Sequence, residues 1–93
     1  MYLRRRADII TREIDGETVV LNHRLGQVHQ LNTTASYVWN RCDGRTTVEQ
    51  IVDMVSKEYG ISAADIGEDI ANIIAEFIGK ELVDSVDNIS PEL

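Results

Sequence analysis

Two histidines, His23 and His29, and one cysteine, Cys42, are the residues of this 93-residue chain best suited to ligate a metal or move a proton. Their spacing argues against both roles. Neither histidine has a carboxylate or thiol at metal-ligand spacing, so each reads as a surface or turn residue. Cys42 lacks a sequence partner for nucleophilic catalysis and reads as a buried thiol near a helix end. A single cysteine also excludes a disulfide framework, an iron–sulfur cluster and a thiolate zinc site. The acidic run Asp65–Asp69 lacks the alternating ligands and the terminal glutamate of a calcium loop, and suits the positive end of a helix dipole. Gly16, Gly26 and Gly44 stand alone as turn residues and form no phosphate-binding loop. Neither catalytic residues nor a cofactor are expected. The chain reads as a binding module.

Composition narrows the partner. Hydrophobic residues make up 43% and charged residues 27% of the chain, ordinary values for one globular domain with one core. The net charge of −7 is unevenly spread. Residues 1–46 hold seven arginines against five acids, whereas residues 47–93 hold two lysines against eleven acids. So acidic a chain repels phosphate backbones, and no nucleic acid is expected. No apolar run approaches the ~20 residues that span a bilayer, and acidic and polar residues soon follow the basic start, so neither a membrane nor a signal peptide is expected. The cytoplasm is the expected compartment. Residues 1–7, with Arg4-Arg5-Arg6, read as a solvated basic arm; 8–84 read as the folded domain, and 85–93 as a frayed tail.

These residues must be positioned by three strands followed by three helices, an α+β order. Asp8–Ile14 and Glu17–Asn22 are rich in β-branched residues, and Asp15-Gly16 between them suits a type I′ turn. Two-residue loops fix register, so Ile14 faces Glu17, Arg12 faces Val19 and Ile10 faces Leu21. The apolar set Ile10, Ile14, Val19 and Leu21 is the expected core face. A turn at His23–Gly26 leads to a third strand, Gln27–Leu31. If Asn22 opposes Gln27, Val28 joins that core face and His29 points away. A helix capped by Asn32 or Thr33 then carries the aromatics Tyr37 and Trp39 and stops at Asp43-Gly44. Thr47–Gln50 matches a capping box for a second helix ending at Gly60. Ser62 or Asp65 opens a third helix, and Leu82-Val83-Asp84 reads as a short extended piece.

The third helix carries more apolar surface than one packing seam needs. Ile66, Ile70, Ile73 and Phe77 lie within about 60° of one another at about 100° per residue, while Ile74 and Ile78 lie further round. Asp69, Asn72, Glu76 and Lys80 occupy the opposite flank. The edge strand Gln27, Val28, His29, Gln30, Leu31 has no proline or lysine to block pairing. An extended peptide can add to it, with Ile73, Ile74, Phe77 and Ile78 lining pockets. Coverage of that edge by the chain's own tail, or by a second copy in a homodimer, is equally open at this point.

Gln30-Leu31-Asn32-Thr33-Thr34-Ala35, Val38-Trp39, Cys42–Thr46, Val48–Val52, Glu58-Tyr59, Asp69-Ile70, Ile73-Ile74 with Phe77, and Leu82-Val83 resemble the PqqD-like family, pyrroloquinoline quinone biosynthesis protein D and its relatives. The resemblance runs from about Ile9 to Asp84. It implies a winged-helix-like fold, a three-stranded antiparallel β-meander followed by three α-helices. It also implies a non-enzymatic peptide chaperone (a recognition element for ribosomally made, modified peptides) that binds a precursor's leader and presents it to a modifying enzyme. In the quinone branch that enzyme is a radical S-adenosylmethionine protein. Carried over by position, the peptide groove falls on Gln27–Leu31 and on Asp69, Ile70, Ile73, Ile74 and Phe77. Glu81 stands where family members commonly have glycine. The rival from another class is a winged-helix transcription regulator, whose recognition helix should be basic; neither later helix is.

Overall fold

The computed structural model describes residues 2–86. In chain order they form β1 (Tyr2–Arg5), β2 (Ile9–Ile14), β3 (Glu17–Asn22), β4 (Gln27–Leu31), α1 (Thr33–Asn40), β5 (Asp43–Thr47), α2 (Val48–Tyr59), α3 (Ala63–Gly79) and β6 (Val83–Val86). The expected meander is present as the antiparallel sheet β2-β3-β4, and all three helices are present. Asp15 and Gly16 both take positive φ (54° and 80°), as a type I′ turn requires. The pairs Ile10–Leu21, Arg12–Val19, Ile14–Glu17 and Asn22–Gln27 all form in the expected register.

Register was legible, but the buried face is the other one. Thr18, Val20, Asn22 and Leu31 are buried, whereas Ile10, Ile14 and Val28 are 42%, 55% and 65% exposed. Turn parity decides which residues oppose each other, not which side the helices cover. The helices cover the side with fewer apolar residues because its polar groups find partners there. Trp39 Nε1 donates to Thr11 Oγ1 at 3.0 Å, Asn22 Nδ2 donates to the Lys80 carbonyl at 3.4 Å, and the Leu25 amide donates to Asn22 Oδ1 at 3.2 Å. His29 turns inward with them, correcting the expectation that it points away.

A second sheet, of order β5-β1-β6, was not anticipated. It overturns the reading of the N-terminal residues as a solvated arm: Leu3 is fully buried, and β1 is the central strand. Arg5 donates through Nη1 to the Trp39 carbonyl at 3.0 Å, and Arg6 approaches Asp8 and Asp84 at 3.4 Å each. Leu82-Val83-Asp84 does lead into a strand, β6, which pairs with β1 and includes Ser85 and Val86. The remainder of the expected tail, 87–93, lies outside the described residues. α1 ends at its C-cap Arg41, before the anticipated Asp43-Gly44, and those two residues begin β5. Gly44 keeps its positive φ of 79°, beside a shift in the β1–β5 register, and a Cβ there would meet the Arg4 side chain at 3.5 Å.

Asn32, Thr47 and Ser62 cap the three helices through their side chains, Thr47 in a complete capping box with Gln50. The core gathers Leu3, Val20, Val38, Trp39, Ile51, Val55, Ile70 and Leu82, and Trp39 meets Phe77 edge to face at 5.4 Å. No described helix is long and apolar enough to cross a membrane.

Candidate functional site

Sheet β2-β3-β4 ends at β4, and among the described residues nothing pairs with its outer edge; β6 has joined β1 instead. Ladder parity shows which groups that edge presents. A two-residue hairpin loop is closed by a hydrogen-bonded pair, here Ile14–Glu17, so residues 17, 19 and 21 bond toward β2. Thr18, Val20 and Asn22 then bond toward β4, to Leu31, His29 and Gln27. The backbone N–H and C=O groups of Val28 and Gln30 are therefore directed outward.

Beside that edge runs a trough between β4 and α3. One cavity of about 150 Å³ is walled by His29, Leu31, Ala35, Ile73, Phe77 and Leu82, with Gln30, Asn32, Glu76 and Lys80 completing it. Another, of about 250 Å³, continues past Asn32 and Ile73 to Thr34, Asp69 and Asn72. Asn32 and Ile73 line both, so the two are neighbours beside α3. Lys80 Nζ lies 3.4 Å from Glu76 Oε1, an i,i+4 pair on the wall. Burial and the nearby Lys80 ammonium hold the His29 imidazole below its ordinary pKa, keeping it neutral at neutral pH.

The expected site residues divide accordingly. His29, Gln30, Leu31, Ile73 and Phe77 meet in the first cavity and Asp69 in the second, while Gln27 and Val28 belong to the same edge strand. Ile70 and Ile74 do not join them: both are buried in the core. Ile78 is exposed and lies about 140° round the helix from Ile73. Ile70 and Ile74 are buried, whereas Ile73, Asp69, Glu76 and Lys80 line the cavities beside β4. The groove thus lies on the flank set aside as polar. Asn32, Ala35, Glu76, Lys80 and Leu82 were missed as lining residues; the signal available was that Glu76, Lys80 and Asp69 share a face with Ile73.

No chemistry-bearing cluster competes with this trough among the described residues, where no three of His, Cys, Asp and Glu gather to hold a metal. Cys42 is fully buried, its Sγ 3.2 Å from the Val38 carbonyl, and burial pushes its thiol up to about 12.

The fold has close counterparts. TbiB1 in complex with the TbiA(beta) leader peptide is 22% identical, with a TM-score of 0.80, covering 91% of this chain and 99% of that one. Lasso peptide synthetase B1 complexed with the leader peptide is 24% identical, with a TM-score of 0.81, covering 91% of this chain and 100% of that one. The solution structure of the PqqD truncation of Methylobacterium extorquens PqqCD, a functional and stand-alone recognition element for ribosomally synthesized and post-translationally modified peptides, is 25% identical. Its TM-score is 0.74, over 89% of this chain and 88% of that one. No curated protein sequence matches the chain. The sequence profile of the family described as coenzyme PQQ synthesis protein D (PqqD) does match, over residues 17–83, which takes in β3, the β4 edge, β5, all three helices and the first residue of β6, and the chain belongs to that family.

Proposed function

We propose that this chain is a non-catalytic cytoplasmic module that captures the leader of a ribosomally made precursor peptide by strand addition to β4 and presents it to a separate modifying enzyme. The observation that carries this reading is the outer edge of β4, where the backbone groups of Val28 and Gln30 face outward alongside a half-apolar trough. An added strand satisfies those groups, and its alternate side chains enter the trough, so affinity comes from backbone bonds and selectivity from the cavities. Two structures that share the fold are complexes with leader peptides, and a third is a stand-alone recognition element, which supports the reading. Family membership makes a radical S-adenosylmethionine enzyme of pyrroloquinoline quinone assembly the first candidate partner. DNA binding finds no support in the charges, since α3 carries no lysine or arginine from Ala63 to Gly79.

Titrating the isotope-labelled chain with its cognate precursor peptide tests the proposal. Backbone resonances of Gln27–Leu31 and of the Asp69–Lys80 flank should shift. Shifts confined to Arg4–Arg6 would reject this site.

A further inference from the structure

His29 Nε2 is buried and has no hydrogen-bond partner among the described residues. His29 lines the 150 Å³ cavity together with the apolar Leu31, Ala35, Ile73, Phe77 and Leu82 and the polar Gln30, Asn32, Glu76 and Lys80. Buried polar atoms in native proteins nearly always have a partner, so an orphan on the wall of a binding trough points to a group that arrives with the ligand.

The position of that group follows from the ladder. If Val28 and Gln30 bond to an added strand, the residue opposite His29 occupies a non-hydrogen-bonded pair, the arrangement in which facing side chains approach most closely. Directly opposed residues share a sheet face, so its side chain enters the same cavity as the imidazole. The cavity's chemistry then selects. Leu31, Ala35, Ile73, Phe77 and Leu82 suit an apolar body. A hydroxyl serves Nε2 in either imidazole tautomer, because it both donates and accepts. Glu76 and Lys80, one of each sign on the wall and 3.4 Å apart, favour neither an added carboxylate nor an added ammonium.

We infer that His29 makes this chain selective for a hydroxyl-bearing side chain with an apolar body, threonine or tyrosine, at the peptide position opposite it. The inference rests on the strand-addition reading. The neutral state of the imidazole at neutral pH is consistent with it.

Selection of a phage-displayed library of random dodecapeptides on the intact chain, and in parallel on His29→Phe, provides the test. Peptides selected on the unaltered chain should share threonine or tyrosine at one position, and His29→Phe should replace it there by valine or phenylalanine. In synthetic copies of the selected peptides, Thr→Val or Tyr→Phe at that position should weaken binding to the unaltered chain about tenfold, the worth of one buried hydrogen bond. The same change should leave binding to His29→Phe unmoved. Because the peptide-side change leaves the chain untouched, the test survives even if His29→Phe folds poorly. Selected peptides that shift Gln27–Leu31 but show no hydroxyl preference would overturn this inference and leave strand addition standing. Peptides whose shifts map away from β4 would overturn both.

Discussion

Arg24 and Glu81 meet at 2.6 Å, joining the β3–β4 turn to the residues that lead from α3 into β6. Glu81 makes this pair from an uncommon backbone: its φ is +60°, the left-handed region that a Cβ disfavours by about 1–2 kcal/mol. The glycine that the family resemblance leads one to expect here would carry no such strain. Glu81→Gly removes the strain and the ion pair together, and the two effects oppose each other. Raising salt weakens only the pair, since the Debye length shrinks to about 3 Å at 1 M. Glu81→Gly should therefore gain stability relative to the unaltered chain as salt rises, measured as the difference in urea midpoints. A difference that is flat in salt would mean that Arg24 contributes nothing there.

Strand addition has a signature at single amides. His29 and Leu31 bond across to Val20 and Thr18 in the free chain, whereas the N–H groups of Val28 and Gln30 point outward. On binding the cognate precursor, hydrogen exchange at Val28 and Gln30 should slow most, and at His29 and Leu31 much less. Uniform slowing over all of Gln27–Leu31 would indicate general stiffening in place of a new ladder.

α3 separates recognition from folding within a few residues. Ile74 is buried in the core, so Ile74→Glu places an unpaired carboxylate there and should cost more than about 3 kcal/mol. In a domain this small that loss removes a large share of the total stability and lowers the melting temperature markedly. Ile73 faces the trough and is only partly buried, so Ile73→Glu should fold and yet lose at least tenfold in peptide affinity. Ile78→Glu, on an exposed face away from β4, should disturb neither. Circular dichroism melts and a peptide titration on the three variants check all of this.

These contrasts also show what the sequence could disclose. The register of β2-β3-β4, the three helix caps and the edge at Gln27–Leu31 follow from local chemistry: Asp15-Gly16, Asn32, the Thr47–Gln50 box and Ser62. The covered face of the sheet does not, because it depends on Trp39 reaching Thr11 and on Asn22 reaching Lys80, contacts 28 and 58 residues apart. Counting apolar residues favoured the face with Ile10, Ile14 and Val28, which the fold leaves open. Sheet β5-β1-β6 was illegible for a related reason. Asp43–Thr47 contains no large apolar residue, and in β1 the one fully buried side chain is Leu3. The groove flank of α3 was misjudged because its polarity resembles a solvated face until β4 is placed against it.

Cys42, fully buried, and His29, partly buried, contribute to the pH dependence of stability at opposite ends of the scale. Both favour their neutral forms in the fold, so the signs run oppositely at the two ends. Cys42 ionises near 9 when exposed and is pushed up to about 12 by burial. Folding therefore opposes its ionisation: the stabilisation is complete below pH 9 and is lost as pH rises from 9 toward 12. His29, ordinarily near 6.5, is held lower by burial and then by Lys80, with Glu76 the other charged group on that wall. Its stabilisation is complete above pH 6.5 and is lost as pH falls below that value. Urea midpoints should accordingly decline on both sides of neutrality. Cys42→Ala should lower the plateau by opening a cavity, yet flatten the alkaline decline, and His29→Phe should flatten part of the acid decline. Native-state labelling of Cys42 by a maleimide at pH 8 supplies an independent check, and it should proceed only as fast as the chain opens. An alkaline decline that survives Cys42→Ala unchanged would assign that limb to another group.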